Sequence, residues 1–295
     1  MKVTPIIGLE IHVQLKTKSK MFCACSAEYF GDKPNTHMCP VCLALPGALP
    51  RANKKALENA VKVGVALHCK INKYSKFDRK NYMYPDLFKG YQITQYEIPI
   101  CGNGYVDIET REGKTKRIGI IRAHQEEDTA KSIHEKGFTL IDGNKAGIPL
   151  LEIVSEPDMA DEFEAKAYAE YIYNTLRFIG VSDCDMEKGQ MRFDVNINLK
   201  VTKEENGNTE ELATPIAEIK NLNSFRSLQR AILFEVERQK EEFEKTGETI
   251  AKGNKTTRGW SDDRDETYPL RSKEEAEDYR YFPDPDLPPV VFSDE

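Results

Sequence analysis

The sequence predicts an α+β fold organised around a mixed or antiparallel β-sheet. Strand-like runs outnumber helical runs, and turn-forming pairs such as Glu112-Gly113 join some of them as hairpins. With 295 residues, of which 39% are hydrophobic, the chain is long enough to bury a sizeable core. It contains no signal-peptide pattern and no apolar run of the ~20 residues that span a bilayer, so we expect a cytoplasmic protein without a membrane segment.

Local patterns define the elements of the first half. Residues 6–15 alternate apolar and polar side chains, which predicts a strand, and Asn53 is a typical cap for a following helix. A turn at Asn103-Gly104 and another at Glu112-Gly113 predict a hairpin between 105–110 and 116–123. Residues 74–100 are rich in tyrosine and proline, and we expect them to be irregular.

The second half combines strands with two long helices. Helical periodicity covers 161–179, where Gly180 ends the run, and a second helix extends from a Ser224 cap to about Lys245, before Gly247. Further strands are predicted for 148–154, 190–199 and 215–220. The predicted sheet therefore has helices flanking it.

The strand over 6–15 carries an unusual set of polar residues. Successive side chains of a strand point to opposite faces, so Glu10, His12 and Gln14 share one face. A carboxylate and an imidazole two residues apart can both reach one metal ion or phosphate. The strand over 190–199 repeats this pattern, with Arg192, Asp194, Asn196 and Asn198 on its polar face. Two such strands predict a walled site and not a solvated surface.

Three consecutive acids, Glu126, Glu127 and Asp128, follow a predicted strand. If the alternation continues, Arg122 and His124 share a face with Glu126, and Glu127 lies opposite. Together with the polar strands, the acids provide oxygen ligands and one imidazole, a set that suits Mg²⁺ better than Zn²⁺. The candidate magnesium ligands are Glu10, His12, Glu126, Glu127 and Asp194.

Four of the seven cysteines form two close pairs, Cys23-Ala24-Cys25 and Cys39-Pro40-Val41-Cys42, with thirteen residues between them. Four thiolates from two short turns make a closed tetrahedral zinc site, which indicates a structural role. We therefore predict a small zinc knuckle within 21–45, with Cys23, Cys25, Cys39 and Cys42 as ligands. Reduced cysteines without metal are the alternative, since disulfides are not expected in a cytoplasmic protein.

Charge is distributed unevenly along the chain. Residues 1–95 hold 15 Lys and Arg against 6 Asp and Glu, and the remainder holds 27 against 43. The basic third can meet a polyanion such as nucleic acid or ATP, although a solvated charged surface explains the charge equally well. No GxxxxGK[ST] loop and no GxGxxG motif is present, so side chains and metal must hold any bound ATP. Candidates for its phosphates are Lys80, Lys89, Arg192 and Lys220.

Seven segments are long or unusual enough to compare with known families, among them Gly8-Leu9-Glu10-Ile11-His12 and Arg79-Lys80-Asn81-Tyr82. They cover 8–17, 79–86, 89–93, 126–128, 149–158, 218–224 and 278–283. In content and order these segments resemble the B subunit of the aspartyl/glutamyl-tRNA amidotransferases. The resemblance implies a function in protein biosynthesis.

By this resemblance the chain belongs to a carbon–nitrogen ligase that uses ATP, and glutamine as amido donor. A tRNA misacylated with Glu or Asp carries a side-chain carboxylate that is a poor electrophile. The B subunit would transfer the γ-phosphoryl group of ATP to this carboxylate, and ammonia from a partner would displace the phosphate. The implied partners are an amidase subunit (A) and a small subunit (C), which complete a heterotrimer, together with the misacylated tRNA.

The resemblance also implies residue roles. Lys80, Tyr82 and Lys89 would lie where ammonia arrives and phosphate leaves, with Glu126 at the reacting groups. The residues implied for the ATP side are Arg192, Asn196, Lys220 and Asn221.

The same resemblance implies that residues 1–295 form a catalytic cradle domain with the zinc knuckle as an insertion. Family members continue into helical and tail domains that engage tRNA, and we expect these to be absent from this chain. Two rival functions stay open: a zinc-stabilised RNA-binding module without catalysis, and an ATP-dependent kinase that acts on a free carboxylate metabolite.

Overall fold

A computed structural model describes residues 2–205, 208–270 and 279–293. Its helices are α1 (Lys54–Ala66), α2 (Glu162–Phe178) and α3 (Phe225–Thr246). Its strands are β1 (Lys2–Gln14), β2 (Tyr74–Ser75), β3 (Asp78–Asn81), β4 (Tyr91–Thr94), β5 (Gly104–Glu109), β6 (Thr115–Glu127), β7 (Lys131–Glu135), β8 (Phe138–Asp142), β9 (Pro149–Ser155), β10 (Met191–Glu205), β11 (Asn208–Ala213), β12 (Ala217–Leu222), β13 (Thr256–Ser261), β14 (Glu266–Pro269), β15 (Phe282–Pro283) and β16 (Val290–Val291). Asp278, the first residue of the last family-like segment, lies outside the described residues, as do both ends of the predicted 1–295 domain.

Nine strands form the main sheet. Their order is β14-β13-β12-β10-β1-β9-β6-β5, and β11 pairs with β10 beside this path. The pair β12 and β13 is parallel, and the other neighbours are antiparallel. This mixed, mainly antiparallel sheet with flanking helices confirms the predicted α+β fold class. The predicted hairpin is also confirmed, since β5 pairs with β6 from Gly104 to Glu109.

The two faces of the main sheet differ in polarity. One face is apolar, and its side chains on the two central strands β1 and β10 are buried: Ile7, Leu9, Ile11, Val13, Met191, Phe193, Val195 and Ile197. The helices cover this face, so that Tyr168 of α2 and Leu228 of α3 join the same core. Each fully buried aliphatic side chain contributes about 1.5–3 kcal/mol to folding. Because successive side chains of a strand point to opposite faces, the polar residues of β1 and β10 project from the other face of the sheet.

The helices begin at the caps that the sequence predicted. The side chain of Asn53 accepts hydrogen bonds at the start of α1, and Ser224 accepts one from the backbone N–H of Ser227 at the start of α3. Gly247 follows α3 with a φ of 66°, a left-handed conformation that glycine adopts without strain. None of these described helices is both long and apolar enough to cross a lipid bilayer.

The segment over 74–100 differs from the prediction because it contains short strands. β3 pairs with β4 on one side and with β15 on the other, and β2 pairs with β16. The partners β15 and β16 lie about two hundred residues further along the chain, so no local sequence pattern predicts the pairing. The three-stranded sheet β15-β3-β4 lies at the end of β6, where Thr94 contacts Glu126.

Candidate functional site

The polar face of the main sheet brings together side chains from several strands. His12 on β1 lies opposite Glu152 on β9, and Glu152 lies opposite His124 on β6. Glu10, two residues before His12 on β1, lies opposite Asp194 on β10. Directly opposite residues of antiparallel strands project from the same face, with Cβ atoms about 4.5–5.5 Å apart. The register alone therefore assembles a continuous row of ionisable groups.

The first cluster consists of His12, Glu126 and Glu152, whose ligand atoms all lie within 4.8 Å of one another. His12 Nε2 is 3.4 Å from Glu152 Oε2, and His124 Nε2 is 3.3 Å from a carboxylate oxygen of both Glu126 and Glu152. Thr94 Oγ1 donates a further hydrogen bond of 2.8 Å to Glu126. Two carboxylates and an imidazole are thus held at a spacing that fits one divalent cation.

Burial and mutual attraction set the charges of this cluster. Burial disfavours the charged form of His124, but Glu152 and Glu126 outweigh it and raise its pKa to about 9. Burial likewise opposes ionisation of Glu152, yet the two neighbouring histidines hold its pKa well below the usual range. Among the described residues His12 Nδ1 has no hydrogen-bond partner although it is buried. The two carboxylates therefore stay ionised beside a buried imidazole with an unsatisfied nitrogen, a donor set that can hold a cation.

The second cluster consists of Glu10, Asp194 and Glu218, again with ligand atoms within 4.8 Å. Asn196 Nδ2 donates a 2.9 Å hydrogen bond to Glu10, and the backbone N–H of Asn221 donates one of 2.8 Å to Asp194. Asn221 has a φ of 62° and lies where the register of β10 and β12 shifts. This irregularity turns a backbone donor towards Asp194.

The charges of the second cluster are only partly balanced. Burial raises the pKa of Glu10, and so do the negative charges of Glu152, Asp194 and Glu218. Lys220 forms ion pairs with Glu218 and, at 3.5 Å, with Asp194, which raise its pKa despite burial. A cation bound here would relieve the remaining repulsion.

Lys80 and Tyr82 belong to the segment that lies over this face. The Lys80 ammonium is 4.8 Å from the ring centre of Tyr279 and 5.8 Å from that of Tyr82. Burial disfavours its charge, but Glu126 outweighs this effect and raises the pKa of Lys80. Lys80 is thus a cation held between aromatic rings near the first cluster.

Glu127 and Lys89 lie apart from both clusters. Glu127 follows Glu126 in β6 and therefore projects from the opposite face, where it forms an ion pair with Lys89 and accepts a 3.0 Å hydrogen bond from the backbone N–H of Ile93. Arg192, on the polar face, directs one nitrogen to Asp128 at 3.7 Å. Of the five predicted magnesium ligands, the structure brings together His12 with Glu126 and Glu10 with Asp194.

The four predicted zinc ligands lie together. Cys42 Sγ is 3.6 Å from Cys23 Sγ, 3.7 Å from Cys39 Sγ and 3.9 Å from Cys25 Sγ. These separations are far longer than a disulfide bond and match the edge of about 3.8 Å that follows from tetrahedral bonds of about 2.3 Å. The hydrogen bond from Cys23 lowers the pKa of Cys42, and the buried Lys20 adds to this effect. The cluster is a possible metal site.

A family model for the GatB/GatE catalytic domain matches residues 5–295. The chain belongs to this family. It is 54% identical over 98% of its length to the B subunit of the aspartyl/glutamyl-tRNA(Asn/Gln) amidotransferase of Rhodopirellula baltica. Proteins of the same name from Persephonella marina and Thermoanaerobacter pseudethanolicus are 52% and 51% identical over the whole chain. The chain spans 58–60% of the length of these relatives.

The GatB/GatE family assignment confirms the resemblance seen in the sequence, but three site residues were missed. Glu152, Glu218 and His124 complete or support the two clusters, and they were absent from the predicted ligand set. A signal for Glu152 existed, because it is the one ionisable residue within the otherwise apolar run 149–154. Assigning it to a cluster required the register of β9 with β1.

Proposed function

We propose that this chain is the ATP-using catalytic domain of a tRNA-dependent amidotransferase. It would phosphorylate the side-chain carboxylate of Glu or Asp on a misacylated tRNA, so that ammonia can form the amide. The observation that carries this proposal is the pair of carboxylate clusters, side by side on one sheet face, with the cation Lys80 nearby. Phosphoryl transfer needs chiefly positioning and charge neutralisation, and this face can provide both.

Six residues would hold magnesium in this proposal. They are His12, Glu126 and Glu152 in one cluster and Glu10, Asp194 and Glu218 in the other. Mg²⁺, when bound, would neutralise charge on the phosphate oxygens. Glu127 is left out because it faces away and is engaged with Lys89.

The chain's other polar residues would position the substrates. Lys80 presents a permanent positive charge where the phosphate leaves, and Tyr82, whose pKa burial raises, stays a neutral hydrogen-bonding group. Lys89 would lie on the route by which ammonia arrives. The nucleotide would contact Asn196, Lys220 and Asn221 beside the second cluster, together with Arg192, which lies opposite His12. Glu10 holds Asn196 by a hydrogen bond, and Asp194 holds Lys220 by an ion pair. Both side chains are therefore already positioned for a nucleotide before it binds.

The proposal also covers the partner subunits and the cysteine cluster. We propose that an amidase subunit supplies ammonia and that a small subunit completes a heterotrimeric, ATP-dependent carbon–nitrogen ligase of protein biosynthesis. We also propose that the cysteine cluster holds one structural zinc ion, since four thiolates leave no position for a substrate.

ATP turnover by a complex reconstituted from this chain, the amidase and the small subunit tests the function. We expect ATP cleavage that requires misacylated tRNA and that falls at least about a hundredfold in His12→Ala. Arg117→Gln is the matched control, because Arg117 lies on β6 but is exposed and paired with Asp107. Turnover without misacylated tRNA would favour a kinase for a free carboxylate. Intact RNA binding with no turnover in the wild-type complex would favour the RNA-binding module.

A further inference from the structure

Arg122 is a cation on the polar face that neither cluster uses. It lies on β6 opposite Val154, two residues before His124, so its side chain projects from the same face as the clusters. It forms no ion pair with any residue in the described part of the chain, and its Nε is buried without a hydrogen-bond partner. This is unusual, since a buried N–H donor without a partner is costly, although the residue as a whole is only half-buried.

The register gives Arg122 an apolar direct neighbour on a face where the two clusters of the described residues contain five carboxylates. Its direct neighbour is Val154, and Glu10 lies one strand further away, opposite the same valine. Strands are spaced about 4.8 Å apart, so the backbone of Glu10 is roughly 10 Å from that of Arg122. The apolar Val154 thus separates the guanidinium from the second cluster and keeps its donors available.

The unsatisfied polar atoms are concentrated in this part of the sheet. Among the described residues, buried side-chain atoms without partners include His12 Nδ1, Arg122 Nε and His124 Nδ1, and all three side chains project from the polar face. His124 turns its other nitrogen to Glu126 and Glu152. Arg122 therefore lies next to the first cluster, on its side away from Glu126, and carries donors that the protein itself does not satisfy.

We propose that Arg122 binds the terminal phosphate of the nucleotide, as an oxyanion site beside the first carboxylate cluster. This inference rests on the proposed function. A planar guanidinium fork can donate two parallel hydrogen bonds to a phosphate, and it keeps its charge at any physiological pH. A phosphate held beside His12, Glu126 and Glu152 is within the reach of an arginine two residues before His124. The terminal phosphate is the group that must be oriented towards the acceptor carboxylate.

Calorimetric titration of the 295-residue chain, in the presence of Mg²⁺, tests this site with ATP, ADP and inorganic phosphate as separate ligands. We expect Arg122→Gln to weaken binding of ATP and of inorganic phosphate about tenfold to a hundredfold, and to leave ADP binding within about twofold. Arg122→Lys should lose part of this affinity, because the ammonium keeps the charge but lacks the fork. Arg117→Gln, on the same strand, should bind all three ligands like the wild type.

Unchanged ATP binding in Arg122→Gln, or equal weakening of ATP and ADP, would overturn the assignment and leave the proposed function standing. Arg122-dependent binding of inorganic phosphate by a chain that does not bind ATP would support the oxyanion site and contradict the proposed function. No binding of any of the three ligands by the wild type would overturn the inference. If Arg122→Gln melts at a lower temperature than the wild type, the ligand affinities of Arg122→Lys are compared with those of the wild type instead.

Discussion

The cysteine cluster and the carboxylate clusters are both sets of metal-ligand side chains, but the chain assembles them differently. Cys23, Cys25, Cys39 and Cys42 come from one stretch of twenty residues. The two carboxylate clusters take their ligands from β1, β6, β9, β10 and β12, which extend from residue 2 to 222. A site built within one loop can be identified from spacing alone, whereas a site built across strands depends on their register.

The two kinds of cluster also differ in what they leave open. Four thiolates complete a tetrahedral shell, and no ligand position remains. Each carboxylate cluster offers three residues, while Mg²⁺ takes six ligands and commonly shares them with phosphate oxygens. The contrast separates the proposed structural zinc site from the proposed site for the nucleotide and its magnesium.

The strongest test of the comparison is removal of one thiolate. In Cys39→Ser we expect bound zinc to fall from about one to near zero per chain, and the free energy of unfolding to fall by at least about 5 kcal/mol, since metal binding is coupled to folding. Elemental analysis and urea unfolding measure these two quantities.

Cys69→Ser is the control, because Cys69 is a cysteine outside the cluster whose thiol contacts only the carbonyl of Leu67, at 3.7 Å, among the hydrogen bonds described. It should retain zinc and nearly all of its stability. A wild-type protein that purifies without zinc and has ordinary stability would contradict the structural role of the cluster.

Adjacent residues on opposite faces give the second test. Glu126 belongs to the first cluster, whereas Glu127 is ion-paired with Lys89, whose side chain is only 9% exposed. Glu127→Gln should lower the free energy of unfolding by about 3–5 kcal/mol, because it leaves a buried ammonium unpaired. Glu126→Gln should cost less stability but weaken Mg²⁺ binding at least about tenfold. Urea unfolding and magnesium titration at neutral pH distinguish the two.

A double variant checks the physical reason for the Glu127 effect. Replacing both partners, Lys89→Met with Glu127→Leu, removes both buried charges and should recover part of the lost stability. Loss of Mg²⁺ affinity in Glu127→Gln equal to that in Glu126→Gln would show that the faces are not separated as the register of β6 requires.

How far the sequence predicts the molecule depends on the range of each interaction. Asn53, Ser224 and Gly247 mark helix ends because caps act within one turn, and the structure confirms all three. The alternation of β1 identified Glu10 and His12, but their companion Glu152 lies about 140 residues away and resembles an ordinary strand residue. The strands in 74–100 were missed for the same reason, since their partners β15 and β16 lie near the end of the chain.

The smallest expected effect concerns Asn53, which connects the cysteine segment to the fold. Its Oδ1 accepts hydrogen bonds from the backbone of Lys55 and Ala56, and its Nδ2 donates to the carbonyls of Ser19 and Lys20. Asn53→Ala should lower the free energy of unfolding by about 1–2 kcal/mol, which denaturant unfolding measures.

If the cysteine cluster is a local unit held by its own metal, Asn53→Ala will keep a full equivalent of zinc, as elemental analysis can show. Asn53→Asp retains the cap acceptor but loses the donors to Ser19 and Lys20, so its stability should lie between those of the wild type and Asn53→Ala. A loss of zinc in Asn53→Ala would mean that the cysteine cluster depends on the surrounding fold as the carboxylate clusters do, and the contrast between a local and a long-range site would fail.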